Sequence, residues 1–357
     1  MAKDSAYYKS KKQHQIMLLR KILSELPEFV SDFIYDKELS SQPSTLISYS
    51  RDIRTFLTYL KTNNPTYKNL ELKQFKLSDI EYLNSHDIIE YQHFLEYSED
   101  DADGKSHSNE KKAISRKLSA LRGLYKYHLE HHNIENNPTQ LVKMPKIKKD
   151  KNIVRMNNQE VIDIINAVKY GNEQMSEHQR KILAKTQQRD LAIVTLMLGT
   201  GIRVSECAGL DKKDVDLRGG TITIVRKGGA QDILYIGDQI IEVLREYING
   251  ERSRIIPQEG HEDALFYSMQ FKRISVDAIE RLVKKYAAFV VKNKKITPHK
   301  LRSTYGTALY RETGDIRLVA DVLGHENINT TIDYYAAIED EHKRRAANAV
   351  RYNRNQK

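Results

Sequence analysis

The sequence predicts a mainly α-helical protein of two domains, the second carrying one small antiparallel sheet. Three observations lead there. Apolar residues recur at helical spacing through three segments of the first part of the chain. Two β-branched runs, Thr221–Val225 and residues 233–236, flank Arg226-Lys-Gly-Gly-Ala-Gln-Asp232, a hairpin signal in which glycine supplies the positive φ of the turn. The 357 residues exceed one compact domain and suit two, at roughly 100–200 residues each.

The first helix is expected over residues 44–60, with Leu46, Ile47, Ile53, Phe56, Leu57 and Leu60 on one face, Ser44 and Thr45 as caps, and Asn63-Asn64-Pro65 ending the run. A second follows Ser85 through Ile88, Ile89, Tyr91, Phe94 and Leu95 and stops at the acidic stretch 99–104. A third begins near Ser108. It carries Ile114, Leu118, Leu121, Leu124 and Tyr125, with Lys111, Lys112, Arg116, Lys117, Arg122 and Lys126 on the remaining arc. Residues 1–145 therefore read as an all-helical domain with a basic helix face. Residues 146–155, with Lys146, Lys148, Lys149, Lys151 and Arg155 and no helical period, read as a basic interdomain linker. Such a run is either an ordinary solvated loop or a strap lying along phosphates.

In residues 156–357 helices fit 159–168, 189–198 (closed by Gly199 and Gly201), 240–248, 276–292, 299–313, Ile316–Leu323 and 330–337. Residues 338–350 form an amphipathic tail.

Composition narrows the class. Hydrophobic residues make up 39% and charged residues 30%, enough apolar material to close a core. The longest apolar run, 191–198, falls well short of the ~20 residues a bilayer demands, and the first residues show no secretory apolar core. A cytoplasmic, membrane-free protein is expected. The single cysteine, Cys207, excludes an internal disulfide and a thiolate zinc cluster. A formal net charge of +10 points to a polyanionic partner, nucleic acid first, although a merely basic surface also accounts for it.

Four segments place odd residues where packing alone would not ask for them. Gly199-Thr-Gly-Ile-Arg-Val-Ser-Glu206 sets Arg203 at a helix start with Glu206 one turn along the same face, so that the carboxylate can aim the guanidinium. A surface ion pair explains it equally well. Lys227 precedes Gly228-Gly229 at the hairpin tip, placed to reach across a groove or simply solvated. In Thr297-Pro-His-Lys-Leu-Arg302, His299 and Arg302 share a face at a helix start, although a capping histidine beside an unrelated arginine gives the same pattern. In Leu323-Gly-His325 through Tyr334-Tyr335, a loop histidine precedes a helix with a tyrosine pair, more often core and rim than a nucleophile.

Together and in this order, Gly201-Ile-Arg203-Val-Ser-Glu206, Lys227-Gly-Gly, His299-Lys-Leu-Arg302, Leu323-Gly-His325 and Thr330-Thr-Ile-Asp-Tyr334 closely resemble the tyrosine recombinase (phage integrase) family, most of all its single-subunit Xer type. The resemblance implies a helical, SAM-like core-binding DNA-binding domain at 1–145 and a catalytic domain at 156–357. It implies catalytic roles for Tyr334, Arg203, Lys227, His299, Arg302 and His325. Tyr334 would attack a phosphodiester to leave a 3′-phosphotyrosyl link and a free 5′-hydroxyl, with Lys227 protonating the leaving oxygen.

The residue types suit that chemistry. Attack on a phosphodiester builds a more strongly anionic centre, and two arginine forks match two non-bridging oxygens. Preorganised donors of this kind are each worth on the order of 2.7–4 kcal/mol when deleted. Covalent capture conserves the bond energy, so neither ATP nor a metal is expected. The expected partners are a double-stranded recombination site, contacted also by Lys111, Lys112, Arg116, Lys117, Lys146, Lys148 and Lys149, and three further copies of the chain in a homo-tetramer joined by C-terminal helix exchange. The expected role is Xer-like chromosome dimer resolution. A mobile-element integrase and a type IB topoisomerase-like DNA relaxing enzyme use the same residues, while a catalytically dead DNA-binding module would lack one of them.

Overall fold

The computed structural model describes residues 6–97, 110–147, 155–226 and 228–325, with Ile328 and Ile332 besides. The chain divides into two compact units, Ala6–Lys149 and Asp150–Lys357. The described residues are mainly helical, with one three-stranded antiparallel sheet, as the sequence predicts.

The first unit contains α1 (Ala6–Leu23), α2 (Glu28–Glu38), α3 (Pro43–Asn63), α4 (Leu77–Glu81), α5 (Ser85–Tyr97) and α6 (Lys111–Glu130). Helix α3 starts one residue before Ser44, with Pro43 in its first turn and Gln42 as the preceding residue, so Ser44 and Thr45 lie inside the helix rather than capping it. Its buried residues Ile53, Phe56 and Leu57 meet Phe33 of α2, Tyr91 of α5 and Leu121 and Tyr125 of α6 in one core. Sequence periodicity missed α1 and α2. Helix α1 buries only Leu19, Ile22 and Leu23 near its end, so most of its length carries no apolar stripe to read.

The second unit contains α7 (Asn158–Tyr170), α8 (Glu177–Thr200), α9 (Val204–Ala208), β1 (Val215–Asp216), β2 (Thr221–Val225), β3 (Gln231–Tyr235), α10 (Asp238–Asn249), α11 (Val276–Val290), α12 (Pro298–Thr313) and α13 (Ile316–Leu323). The sheet runs β1-β2-β3, with Ile222 opposite Val215 on one side and Leu234 on the other. Helix α8 is the axis of the core. Its residues 191–197 are all buried and, Thr195 apart, apolar, against Leu244 and Tyr247 of α10, Tyr286 of α11 and Leu301 of α12.

Helix α8 begins at Glu177, twelve residues before the expected 189, behind Ser176 as its cap, whose hydroxyl accepts from the Gln179 N–H at 3.2 Å while Gln179 accepts from the Ser176 N–H at 2.9 Å. The first half is largely polar, with Leu183 its one apolar residue in the core, so no stripe announces it. Nor does Gly199 close the helix. It lies inside α8, where a Cβ would come within 2.5 Å of the tip of the Ile240 side chain on α10. Gly201 alone is the left-handed cap. Among the described residues no helix is long and apolar enough to cross a membrane. The expected helix at 330–337, the tail at 338–350 and most of the basic linker lie outside the described residues.

Candidate active site

The site is built where three helix ends meet. Helix α8 ends at Gly201 (φ +63°), whose N–H donates to the Met197 carbonyl at 3.1 Å. A Cβ there would stand 2.5 Å from the Tyr305 ring and 2.8 Å from Leu323, so both backbone and space demand glycine. The turn delivers Arg203 to the N-terminus of α9. Its backbone N–H donates to Glu206 Oε2 at 2.9 Å, its Nη1 to Glu206 Oε1 at 2.8 Å, and its Nη2 to the Gly324 carbonyl at 2.8 Å. Glu206 is buried, whereas the Arg203 side chain is 31% exposed, so part of the guanidinium faces the outside.

Helix α12 starts at Pro298 and carries Arg302 inward. Its Nη1 donates to the Gly201 carbonyl at 2.7 Å and its Nη2 to the Leu323 carbonyl. Helix α13 ends at Gly324, in the left-handed region, and the His325 N–H donates back to the Ala320 carbonyl at 2.9 Å. The carbonyls of 322–324 have no partner within α13. They are met instead by three arginines: Arg203, Arg302 and Arg226, whose Nη2 donates to Val322 at 2.9 Å. Cations at a helix C-terminus complement its dipole. The mutual repulsion of three guanidinium groups is offset by Glu206 and Asp232, both ion-paired with Arg226.

The two histidines stand in this positive field. Burial, followed by Arg302, Arg203, His299 and Arg226, pushes the His325 pKa down to about 4. His299 is lowered by burial and by Lys300, Arg302 and Arg203. His325 is therefore a neutral imidazole at pH 7, with one nitrogen able to donate and the other to accept. Fixed guanidinium groups, one of them reaching the surface, beside neutral imidazoles make a receptor for a tetrahedral oxyanion such as a phosphodiester.

The model of the phage integrase family matches residues 154–342, more than half of the 357. The chain belongs to the phage integrase family. Tyrosine recombinase XerS of Streptococcus mutans serotype c is 31% identical over 356 residues, covering 92% of this chain and 97% of that one. Tyrosine recombinase XerC of Caldanaerobacter subterraneus subsp. tengcongensis is 29% identical over 338 residues, covering 90% and 85%. The crystal structure of XerH site-specific recombinase bound to palindromic difH substrate shares the fold, with a TM-score of 0.67 at 19% identity over 94% of this chain and 89% of that one. This member of the family is a site-specific tyrosine recombinase, an enzyme that cuts DNA and rejoins it.

Of the residues the sequence singles out in this recombinase, Arg203, Glu206, His299, Arg302 and His325 are gathered around the 323–325 turn. Lys227 and Tyr334 lie outside the described residues, as do Tyr335, Lys148 and Lys149. Of the expected DNA contacts, Lys111, Lys112 and Lys146 are exposed. Arg116 and Lys117 are already engaged with buried Asp52, Lys117 at 3.9 Å with a side chain only 15% exposed. Sequence reasoning missed Arg226. Its signal was faint: an arginine at the end of β2 with an acid, Asp232, across the turn.

Proposed function

We propose that this site holds one phosphodiester of a double-stranded recombination site between Arg203 and Arg302, and that Tyr334 attacks its phosphorus. The phenolic oxygen forms the new P–O bond, the bond to the 5′-oxygen breaks, and a 3′-phosphotyrosyl link and a 5′-hydroxyl result. The observation that carries this reading is the convergence of Arg203 and Arg302, from two elements far apart in sequence, on the single turn that ends in His325.

Each role follows from charge. The pentacoordinate centre gains negative charge, which the guanidinium forks receive without needing to be protonated first. His325 donates a hydrogen bond to a non-bridging oxygen, and His299 exchanges the proton near the nucleophile. Lys227, adjacent in sequence to Arg226, protonates the leaving 5′-oxygen. Glu206 orients Arg203. Because the phosphotyrosyl link conserves the bond energy, rejoining needs neither ATP nor a metal.

The helical unit at 1–145 acts as the core-binding domain, with Lys111, Lys112, Lys146, Lys148 and Lys149 along phosphates. Four copies assemble on the DNA by exchange of C-terminal helices in the cytoplasm, and the reaction resolves chromosome dimers. The relatives' Xer designation supports that role. The test is a nicked suicide substrate run on a denaturing gel: Tyr334→Phe should bind DNA yet give no covalent band, and Tyr335→Phe should give one. A band surviving Tyr334→Phe sinks the assignment.

A further inference from the structure

Arg226 stands at the end of β2 with a side chain only 10% exposed. Its donors are taken up by four partners on three different elements. Nε donates to Asp232 Oδ2 at 2.8 Å, and Nη2 is 2.8 Å from the same oxygen. Nη2 also donates to the Val322 carbonyl at 2.9 Å, while Nη1 makes longer contacts with Glu206 Oε2 at 3.5 Å and the Leu323 carbonyl at 3.4 Å. A guanidinium has five N–H groups. This set of partners occupies them, so Arg226 has no fork to offer a phosphate, which distinguishes it from Arg203.

One of these partners, Glu206, also holds Arg203, and two others, the Val322 and Leu323 carbonyls, lie beside the carbonyl that Arg203 takes. Glu206 binds the Arg203 guanidinium through Oε1 and Arg226 through Oε2, the oxygen that also accepts from the Arg203 backbone N–H, and Arg203 reaches the Gly324 carbonyl one residue beyond the carbonyls that Arg226 takes. Gly324 leaves room for this packing: a Cβ there would stand 2.7 Å from the Arg226 guanidinium. The chain Asp232–Arg226–Glu206–Arg203 thus ties the sheet, α9 and the carbonyl end of α13 into one charged lattice.

We propose that Arg226 is a positioning residue for DNA cleavage, one that fixes Glu206 and the 322–324 turn so that Arg203 presents its fork to the scissile phosphate in a single orientation. This rests on the reading of Arg203 as a phosphate ligand. Without Arg226, Glu206 keeps one cationic partner where it had two, the Val322 carbonyl loses its donor, and Arg203 gains freedom. The loss falls on the charge-stabilising step rather than on DNA affinity.

The experiment compares single-turnover cleavage of an ordinary suicide substrate with one whose scissile phosphate carries a methyl group in place of a non-bridging oxygen, and so has no charge to neutralise. The variants are Arg226→Met, Asp232→Asn and Arg203→Ala, in the full-length protein, with DNA affinity and thermal unfolding measured on each. Asp232→Asn weakens the outer half of the clamp at a half-exposed site, so it keeps the test open should Arg226→Met fail to fold. On the ordinary substrate Arg226→Met should cleave about 10–100-fold more slowly, the range seen when partners that orient metal ligands are removed. Asp232→Asn should lose less, and DNA affinity should hold. On the neutral substrate the defects of both variants should shrink in parallel with that of Arg203→Ala. Equal defects on both substrates, with Arg203→Ala relieved, overturn the positioning role and leave the reading of Arg203 standing. If Arg203→Ala is itself not relieved, that reading fails and the proposal falls with it.

Discussion

Arg302 is almost wholly enclosed, at 6% exposure, yet it is a side chain assigned to a DNA phosphate. Its two terminal nitrogens bridge the Gly201 and Leu323 carbonyls, a geometry that needs a planar fork. A lysine keeps the charge and loses the fork. Arg203→Lys and Arg302→Lys should each slow cleavage on the order of 100–1000-fold, as loss of one preorganised donor does, with DNA affinity little changed. Arg302→Lys should also lower stability by about 1–3 kcal/mol, because a buried carbonyl is left unmet. Near-normal cleavage by both variants, measured on suicide substrates, would rule the clamp out. His325 offers a second check. NMR titration of its ring should give a midpoint at about 4 rather than the ordinary 6.5. The unfolded chain then binds the proton more readily than the folded one, so the stability this group contributes is complete above pH 6.5 and is lost as pH falls toward 4. A midpoint near 6.5 would mean that the ring is neither buried nor surrounded by the arginines.

Among the elements, the turn between α8 and α9 is held tightly. Gly201 is left-handed and pressed against Tyr305 and Leu323, so Gly201→Ala should destabilise by more than the ~1–2 kcal/mol that the backbone conformation alone costs. The denaturation midpoint measures this, and an unchanged midpoint would show that the turn relaxes. Element by element, legibility followed the apolar stripe. Residues 316–323 were read correctly from spacing because α13 is short and strongly one-sided, with Val319, Ala320 and Leu323 buried. The first half of α8 and most of α1 are not legible: few of their residues are buried, and they are helical by continuity with a buried part, helped in α8 by the Ser176 cap.

The whole molecule consists of two units, each with its own core: Phe33, Phe56 and Tyr125 anchor one, Ile193, Leu244 and Tyr286 the other. A fragment of residues 6–149 should therefore fold alone and melt cooperatively by circular dichroism, and a gradual, non-cooperative melt would show that it depends on the second unit. The sequence by itself determined that this is a two-part, mainly helical protein and, through the order of its arginine, histidine and tyrosine motifs, that it resembles a tyrosine recombinase. Those features are local: each rests on a helical stripe, a glycine turn or a spacing of a few residues. Only the tertiary structure decided that Arg203, Arg226 and Arg302 share one turn. Arg203 meets a carbonyl 121 residues away and Arg226 one 96 residues away. No periodicity encodes such a meeting, because it is settled by how α8, α12 and α13 pack and by which helix-end carbonyls that packing leaves in want of a donor.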